Sequence, residues 1–244
     1  MEGKVALVTG GARRVGAAIA RCLHAAGANV LVHYRDSEAD AAKLEAELNA
    51  LRPRSAGKVK AELLAPVAPR ALVGAALDSF GRLDVLVNNA STFFPTEIGA
   101  MEASHWEALI GSNLRAPLFI SQQAAPELAK NEGCIVSIVD IHAERPLKGY
   151  ALYSIAKAGL AAMTRALALE LAPRVRVNGV APGAIAWPED GQFEDAERKR
   201  IIATTPLART GSPEDIARAV HFLACAPFVT GQVLAVDGGR SIFI

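Results

Sequence analysis

Short runs of β-branched and aliphatic residues recur along the chain, separated by longer stretches rich in Ala, Leu, Glu and Arg. The runs at 5–9, 29–33, 59–63, 85–88, 134–139, 176–180 and 232–236 are almost continuously apolar, as expected of strands buried on both faces. Helical patterns occupy 16–26, 39–51, 68–80, 106–129, 151–171, 196–204 and 214–224. Strands that alternate with helical crossovers predict an α/β fold built on a doubly wound parallel sheet. No linker, repeat or low-complexity segment interrupts the pattern, so residues 1–244 read as one domain. Two stretches break the rhythm. Pro53, Pro66 and Pro69 obscure the element boundaries between 52 and 70. A substrate lid is expected around 184–204, beyond the carboxyl end of a strand, where open α/β sheets bind ligands.

Composition narrows the function classes. The formal net charge is +1, which gives no electrostatic case for nucleic acid or an anionic membrane as partner. Half the chain is hydrophobic, at 51%, yet no window holds the 18 or more uncharged apolar residues of a membrane-spanning helix. The N-terminus runs into the first strand with no signal-peptide pattern. Cys22, Cys134 and Cys225 are odd in number, far apart and set among apolar residues, so they read as packing residues in a reducing compartment. A soluble cytoplasmic protein is expected. His24, His105, His142 and His221 have no ligand-like spacing to one another or to Cys, and no metal is assigned.

Candidate chemistry concentrates in a few places. Tyr153 and Lys157 stand four residues apart in a helical stretch and so share one face. An ammonium beside a phenol favours the phenolate, so Lys157 is expected to pull the Tyr153 pKa down toward neutrality. Asp140 lies thirteen residues before Tyr153, at the end of an apolar run. Upstream, Thr9-Gly10-Gly11-Ala12-Arg13-Arg14-Val15-Gly16 follows the first strand and opens the first helix. Glycines there allow a sharp turn and close approach to a pyrophosphate, which the helix N-terminus attracts. The fold is therefore expected to be of the Rossmann type. The second strand ends in His33-Tyr34-Arg35-Asp36-Ser37. A guanidinium and a hydroxyl there suit the 2′-phosphate of NADPH, provided Asp36 points away.

Together these residues resemble the classical short-chain dehydrogenase/reductase family over essentially the whole chain. Asn88-Asn89-Ala90, Asn113 in Gly111-Ser112-Asn113-Leu114, Pro182-Gly183 and Asp237-Gly238-Gly239 are similar to further motifs of that family, in the right order. The resemblance implies that Asn113, Tyr153 and Lys157 are catalytic. It also implies a cofactor site formed by Gly10, Arg13, Arg14, Val15, Gly16, His33, Tyr34, Arg35, Ser37, Glu62, Leu63, Asn89, Ala90, Ser91, Tyr153, Lys157, Pro182 and Gly183. Three departures narrow the match. Arg14 replaces a loop glycine, Ser91 the glycine of Asn-Asn-Ala-Gly, and Asp140 the usual catalytic serine. With Phe93 and His33-Tyr34, they resemble the pteridine reductase subfamily. Arg14, Ser91, Phe93, Asp140 and Tyr153 are then expected to bind substrate, and Asp140 to be catalytic as well.

The resemblance implies NADPH-dependent reduction of a pterin, or of a folate, by hydride transfer to a ring C=N bond. A carboxyl that holds or relays a proton suits protonation of a ring nitrogen better than a hydroxyl does. An aromatic face at Phe93 suits a flat ring. The alternatives are an NADPH-dependent carbonyl or 3-oxoacyl thioester reductase, and a non-catalytic NADP-sensing protein on the same fold. Excess apolar surface on helices 106–129 and 151–171, and the apolar terminus Ser241-Ile242-Phe243-Ile244, accompany an expected homotetramer.

Overall fold

The computed structural model describes residues 1–185 and 194–243. The strands are β1 (Val5–Val8), β2 (Asn29–Tyr34), β3 (Ala56–Lys60), β4 (Val85–Asn88), β5 (Cys134–Ile138), β6 (Arg176–Pro182) and β7 (Val233–Val236). Among the described residues they form one seven-stranded sheet in the order β3-β2-β1-β4-β5-β6-β7, every pair parallel. The helices are α1 (Arg14–Ala25), α2 (Glu38–Leu51), α3 (Ala68–Phe80), α4 (Ala103–Ile110), α5 (Ala116–Lys130), α6 (Ala151–Glu170), α7 (Asp195–Ala203), α8 (Pro213–Cys225) and α9 (Arg240–Phe243). This is the doubly wound Rossmann-type α/β fold that the strand–helix alternation predicts.

Period-two alternation sends successive side chains of each strand to opposite faces. In β1, Ala6 and Val8 join Ile19 and Leu23 of α1 and Ile216 and Val220 of α8 in one core. Val5 and Leu7 point the other way and pack with Leu72 of α3 and Ile120 and Leu128 of α5. Both faces are apolar because both are covered, which is why the strands read as continuous hydrophobic runs. The strand order reverses between β1 and β4, so the loops at their carboxyl ends diverge and open a crevice.

Two of the expected elements differ from the sequence pattern by more than two residues. The strand expected at 59–63 is instead Ala56–Lys60, paired from Val30↔Ala56 to Tyr34↔Lys60. Asn49 causes the early start, because its side-chain oxygen accepts the backbone N–H groups of Ser55 (2.9 Å) and Ala56 (3.1 Å). The single helix expected at 106–129 is α4 and α5 joined by a wider π-type turn, Gly111–Arg115. Pro117 explains the turn. It has no N–H to give the Asn113 carbonyl, and its ring would collide with that carbonyl in an α-helix. Only residues 184–185 and 194–204 of the expected lid are described; the rest of it, with Trp187, lies outside the described residues.

Candidate functional site

The loop between β1 and α1 is drawn tightly against the loop after β4. Asn89 Nδ2 donates to the carbonyls of Thr9 (2.9 Å) and Gly10 (3.0 Å). The Thr9 hydroxyl accepts the backbone N–H groups of Asn89 (2.9 Å) and Ala90 (3.1 Å). Gly10 has φ +59°, and a Cβ there would lie 3.0 Å from the Ala90 Cα. At Gly16 the constraint is harder: a Cβ would sit 2.3 Å from the Gly10 carbonyl oxygen and 2.6 Å from Asn89 Nδ2. Glycine is required at 16 by close approach within the loop itself.

His33 belongs to the same clamp. Its Nδ1 accepts the Gly10 N–H at 3.0 Å, so Nδ1 carries no proton and Nε2–H donates to the Ala61 carbonyl at 3.1 Å. Burial pushes its pKa down, partly offset by the Ala61 hydrogen bond. The expected cofactor residue His33 therefore acts first as a neutral brace tying the glycine loop to the ends of β2 and β3. Asn89 has a similar bracing part.

A cleft of about 590 Å³ opens over this loop. Gly10, Arg13, Arg14, Val15, Gly16, His33, Tyr34, Arg35, Ser37, Glu62, Leu63, Asn89, Ala90, Ser91, Pro182 and Gly183 all line it. Of the expected cofactor residues only Tyr153 and Lys157 are absent from its wall. Thr92, Ala108 and Ile185, which carry no sequence motif, also line it, as does Ser112 beside Asn113. The first turn of α1 faces the cleft with no side-chain cap on its free N–H groups. That end suits a pyrophosphate, and the glycine geometry leaves room for one. The residues present thus fit a dinucleotide. Asp36 does not point away from Arg35 as the phosphate reading requires: its carboxylate accepts from Arg35 Nε at 2.7 Å. Both side chains are largely exposed, so this ion pair is weak and exchangeable.

A second cleft, of about 320 Å³, adjoins the first. Arg14, Ser91, Phe93, Asp140 and Tyr153, all five expected substrate residues, line it. Asp140 caps the 3₁₀ turn Ile141–Ala143 through Oδ1, which accepts the His142 N–H at 2.8 Å. Its other oxygen accepts the Tyr153 hydroxyl proton at 2.7 Å. Lys157 is buried behind them, 5.6 Å from the centre of the Tyr153 ring, and donates to the Ile138 carbonyl at 2.9 Å.

This geometry corrects the expectation that Lys157 lowers the Tyr153 pKa. Burial, the adjacent Asp140 charge and the hydrogen bond to it push the phenol pKa well up instead. Burial also carries the Lys157 pKa down to about 8, against the pull of Asp140. In the free protein the phenol keeps its proton, aimed at Asp140.

Asn113 lies behind the clefts, fully buried in the π-type turn. Its Nδ2 donates to the carbonyls of Thr92 (2.9 Å) and Leu109 (3.0 Å), and its oxygen accepts the Ser91 hydroxyl at 2.6 Å. It fixes the backbone just before Phe93. One face of Phe93 stacks on Tyr150, with centroids 4.5 Å apart and planes 12° apart, and it meets Tyr153 edge-on at 4.8 Å. Tyr150 is absent from the cleft wall, so it backs the Phe93 ring from behind. Tyr150 carries no motif in the sequence, although its place one residue after Gly149 and three before Tyr153 marks the same helix start. Arg200 and Arg240, likewise outside any motif, also line the second cleft.

Residues 10–241 match the family model described as enoyl-(acyl carrier protein) reductase. Pteridine reductase 1 of Leishmania tarentolae is 41% identical, covering 98% of this chain and 96% of its own. The 3-oxoacyl-(acyl-carrier-protein) reductase of Synechocystis is 38% identical, covering 100% and 99%. The 3beta-hydroxysteroid dehydrogenase 1 of Eggerthella lenta is 34% identical, covering 100% and 95%. The chain belongs to the short-chain dehydrogenase/reductase family of nicotinamide-dependent oxidoreductases. Within that family its relatives include both a pteridine reductase and reductases or dehydrogenases of carbonyl and hydroxyl groups.

Proposed function

We propose that the protein is an NADPH-dependent reductase of pterins, taking a dihydropteridine to the tetrahydro level. The observation that carries this reading is the second cleft. It gathers Arg14, Ser91, Phe93, Asp140 and Tyr153 on one wall system, with Asp140 in hydrogen-bonding contact with the Tyr153 hydroxyl. The likeness to Leishmania pteridine reductase 1 supports it.

NADPH would lie along the first cleft, its pyrophosphate at the start of α1 and its 2′-phosphate near Arg35 and Ser37, and when bound it supplies a hydride. The chain's own residues supply position and protons. Phe93, braced by Tyr150, presents an aromatic face to a flat ring, a contact worth about 1 kcal/mol beyond area burial. Arg14 and Ser91 offer polar contacts along the ring's edge. The Asp140 carboxylate takes the proton of the Tyr153 hydroxyl that it already accepts and relays it to the ring nitrogen beside the carbon that is reduced. The phenolate left behind faces Lys157. A phenol of raised pKa keeps its proton in the free protein and gives it up only when a substrate nitrogen is there to receive it through the carboxylate. Residues 184–204 act as a lid over the substrate. The exposed Leu118, Phe119, Ile155 and Leu169 on α5 and α6 support assembly as a homotetramer.

The second reading, an NADPH-dependent carbonyl reductase, has the likeness to the Synechocystis enzyme in its favour. Asp140 discriminates the two. An oxyanion forming from a ketone wants a neutral donor, and a carboxylate at that place repels it. Asp140→Ser is expected to abolish most dihydropteridine reduction and leave NADPH affinity intact. Wild-type protein that reduces ketones or oxoacyl thioesters briskly, and leaves dihydrobiopterin, dihydromonapterin and dihydrofolate untouched, refutes the pterin reading.

A further inference from the structure

α7 and the C-terminal turn contribute Arg200, Arg240 and Glu197 to the wall of the second cleft, two positive charges against one negative. Arg200 projects from α7 and Arg240 from the start of α9, both onto the cleft wall. Arg240 is held in place. Its Nη1 donates to the Ile201 carbonyl (3.1 Å) and to the Thr204 hydroxyl (2.8 Å), both neutral acceptors. Asp237, the nearest acid in sequence, is committed elsewhere, since its two oxygens accept the backbone N–H groups of Gly239 (2.9 Å) and Ser241 (2.7 Å). Among the described residues no ion pair joins Arg240 to a carboxylate, and Arg200 meets only Glu197, loosely, at 3.9 Å.

Among the described residues, two guanidiniums therefore share part of a concave site with one carboxylate, Glu197, which also lines it. Burial and the charge of Arg200 both depress the Arg240 pKa, and Asp237 only partly offsets them. Holding like charges together costs the folded state unless a ligand neutralises them, and an oriented guanidinium pair matches a carboxylate or phosphate.

We propose that Arg200 and Arg240 form an anion subsite that selects pteridines whose side chain ends in a negatively charged group over those with an uncharged polyol side chain. This rests on the pterin reading given above and specifies its substrate class. The shared chemistry is an anionic oxygen cluster, whether the carboxylates of a glutamate-conjugated pteridine or the phosphate of an esterified hydroxyalkyl pteridine.

Steady-state reduction by the full chain with NADPH separates the possibilities. Three substrates are compared: dihydrobiopterin as the uncharged tail, the phosphate ester of a hydroxyalkyl dihydropterin, and dihydrofolate. At least one anionic substrate is expected to show a kcat/KM about tenfold above dihydrobiopterin, carried by KM, and the one that does identifies the source of the anion. That ratio should fall about tenfold in Arg200→Gln, equivalent to about 1.4 kcal/mol. It should recover in part in Arg200→Lys and shrink as salt rises toward 1 M, where screening acts within about 3 Å. Arg200 is the cleaner test because its side chain is 73% exposed and holds no element in place. Arg240→Gln should lower the same ratio, with thermal unfolding as a check on the tie to α7. A ratio near one in the wild type, or one unmoved by Arg200→Gln and by salt, overturns the subsite and leaves pterin reduction standing. If none of the three is reduced, the pterin reading fails and the subsite fails with it.

Discussion

Lys157→Met should make the cofactor-free protein more stable while destroying its activity. The lysine is buried, and its pKa falls from an ordinary 10.5 to about 8, chiefly through burial. At neutral pH both folded and unfolded chains carry the proton, so the folded state bears the whole penalty of a buried ammonium. At about 1.4 kcal/mol per tenfold change in proton affinity, that penalty is about 3 kcal/mol. Methionine fills similar volume without charge but loses the bond to the Ile138 carbonyl, worth about 1 kcal/mol net. The balance favours the variant by about 2 kcal/mol at pH 7, or about 4–8 °C in Tm for a domain of this size. The sign of the pH dependence follows from the lowered pKa. The penalty is fully present below pH 8, fades as pH rises because the unfolded chain then holds more protons, and is gone above 10.5. Urea unfolding of both proteins between pH 7 and pH 10 measures it: the variant's advantage should shrink steadily across that range. Tyr153 does not confuse the comparison, because its raised pKa keeps it protonated throughout and it is common to both proteins. A variant no more stable than wild type at pH 7, with a difference that does not change up to pH 10, would refute the assignment of a desolvated, strained ammonium at this position.

Other outcomes follow from the same geometry. Tyr153→Phe should lower turnover by about 10² to 10⁴ while NADPH affinity measured by fluorescence stays nearly unchanged; a variant keeping more than half the activity removes Tyr153 from the proton path. Arg35→Ala should narrow the preference for NADPH over NADH in the same titration. Asp36→Asn, by releasing Arg35 from its ion pair, should widen that preference, and an opposite shift means that Asp36 holds the guanidinium in a useful position. Gly16→Ala puts a Cβ against the Gly10 carbonyl and Asn89, and should weaken either cofactor by about tenfold or more, equivalent to about 1.4 kcal/mol, as read by calorimetry.

How much of this was readable in the chain depends on the range of the interaction. The sheet and its parallel order follow from runs such as Val5–Val8 and Cys134–Ile138, whose two apolar faces imply cover on both sides. The glycine loop was legible because its turn geometry is local. β3 was misplaced because the residue that sets its start, Asn49, acts from the preceding helix through two side-chain hydrogen bonds. The π-type turn was hidden because a proline's conflict with the carbonyl four residues back looks, in sequence, like a tolerable interruption of a helix. Partnership was the least visible property. Tyr153 and Lys157 on one helical face predict a lowered phenol pKa when only those two groups are counted. Burial of the phenol reverses the sign, and Asp140, arriving from a different element with its carboxylate 2.7 Å from the hydroxyl, adds to the rise. The same residue that departs from the family's usual serine thus also alters how the retained pair behaves. With serine at 140 a neutral hydroxyl would replace that charge, and the phenol would sit nearer the state in which it serves a ketone. With aspartate there, Tyr153 becomes the donor behind a carboxyl. A single change at a strand end therefore recasts the chemistry of two residues that are themselves unchanged.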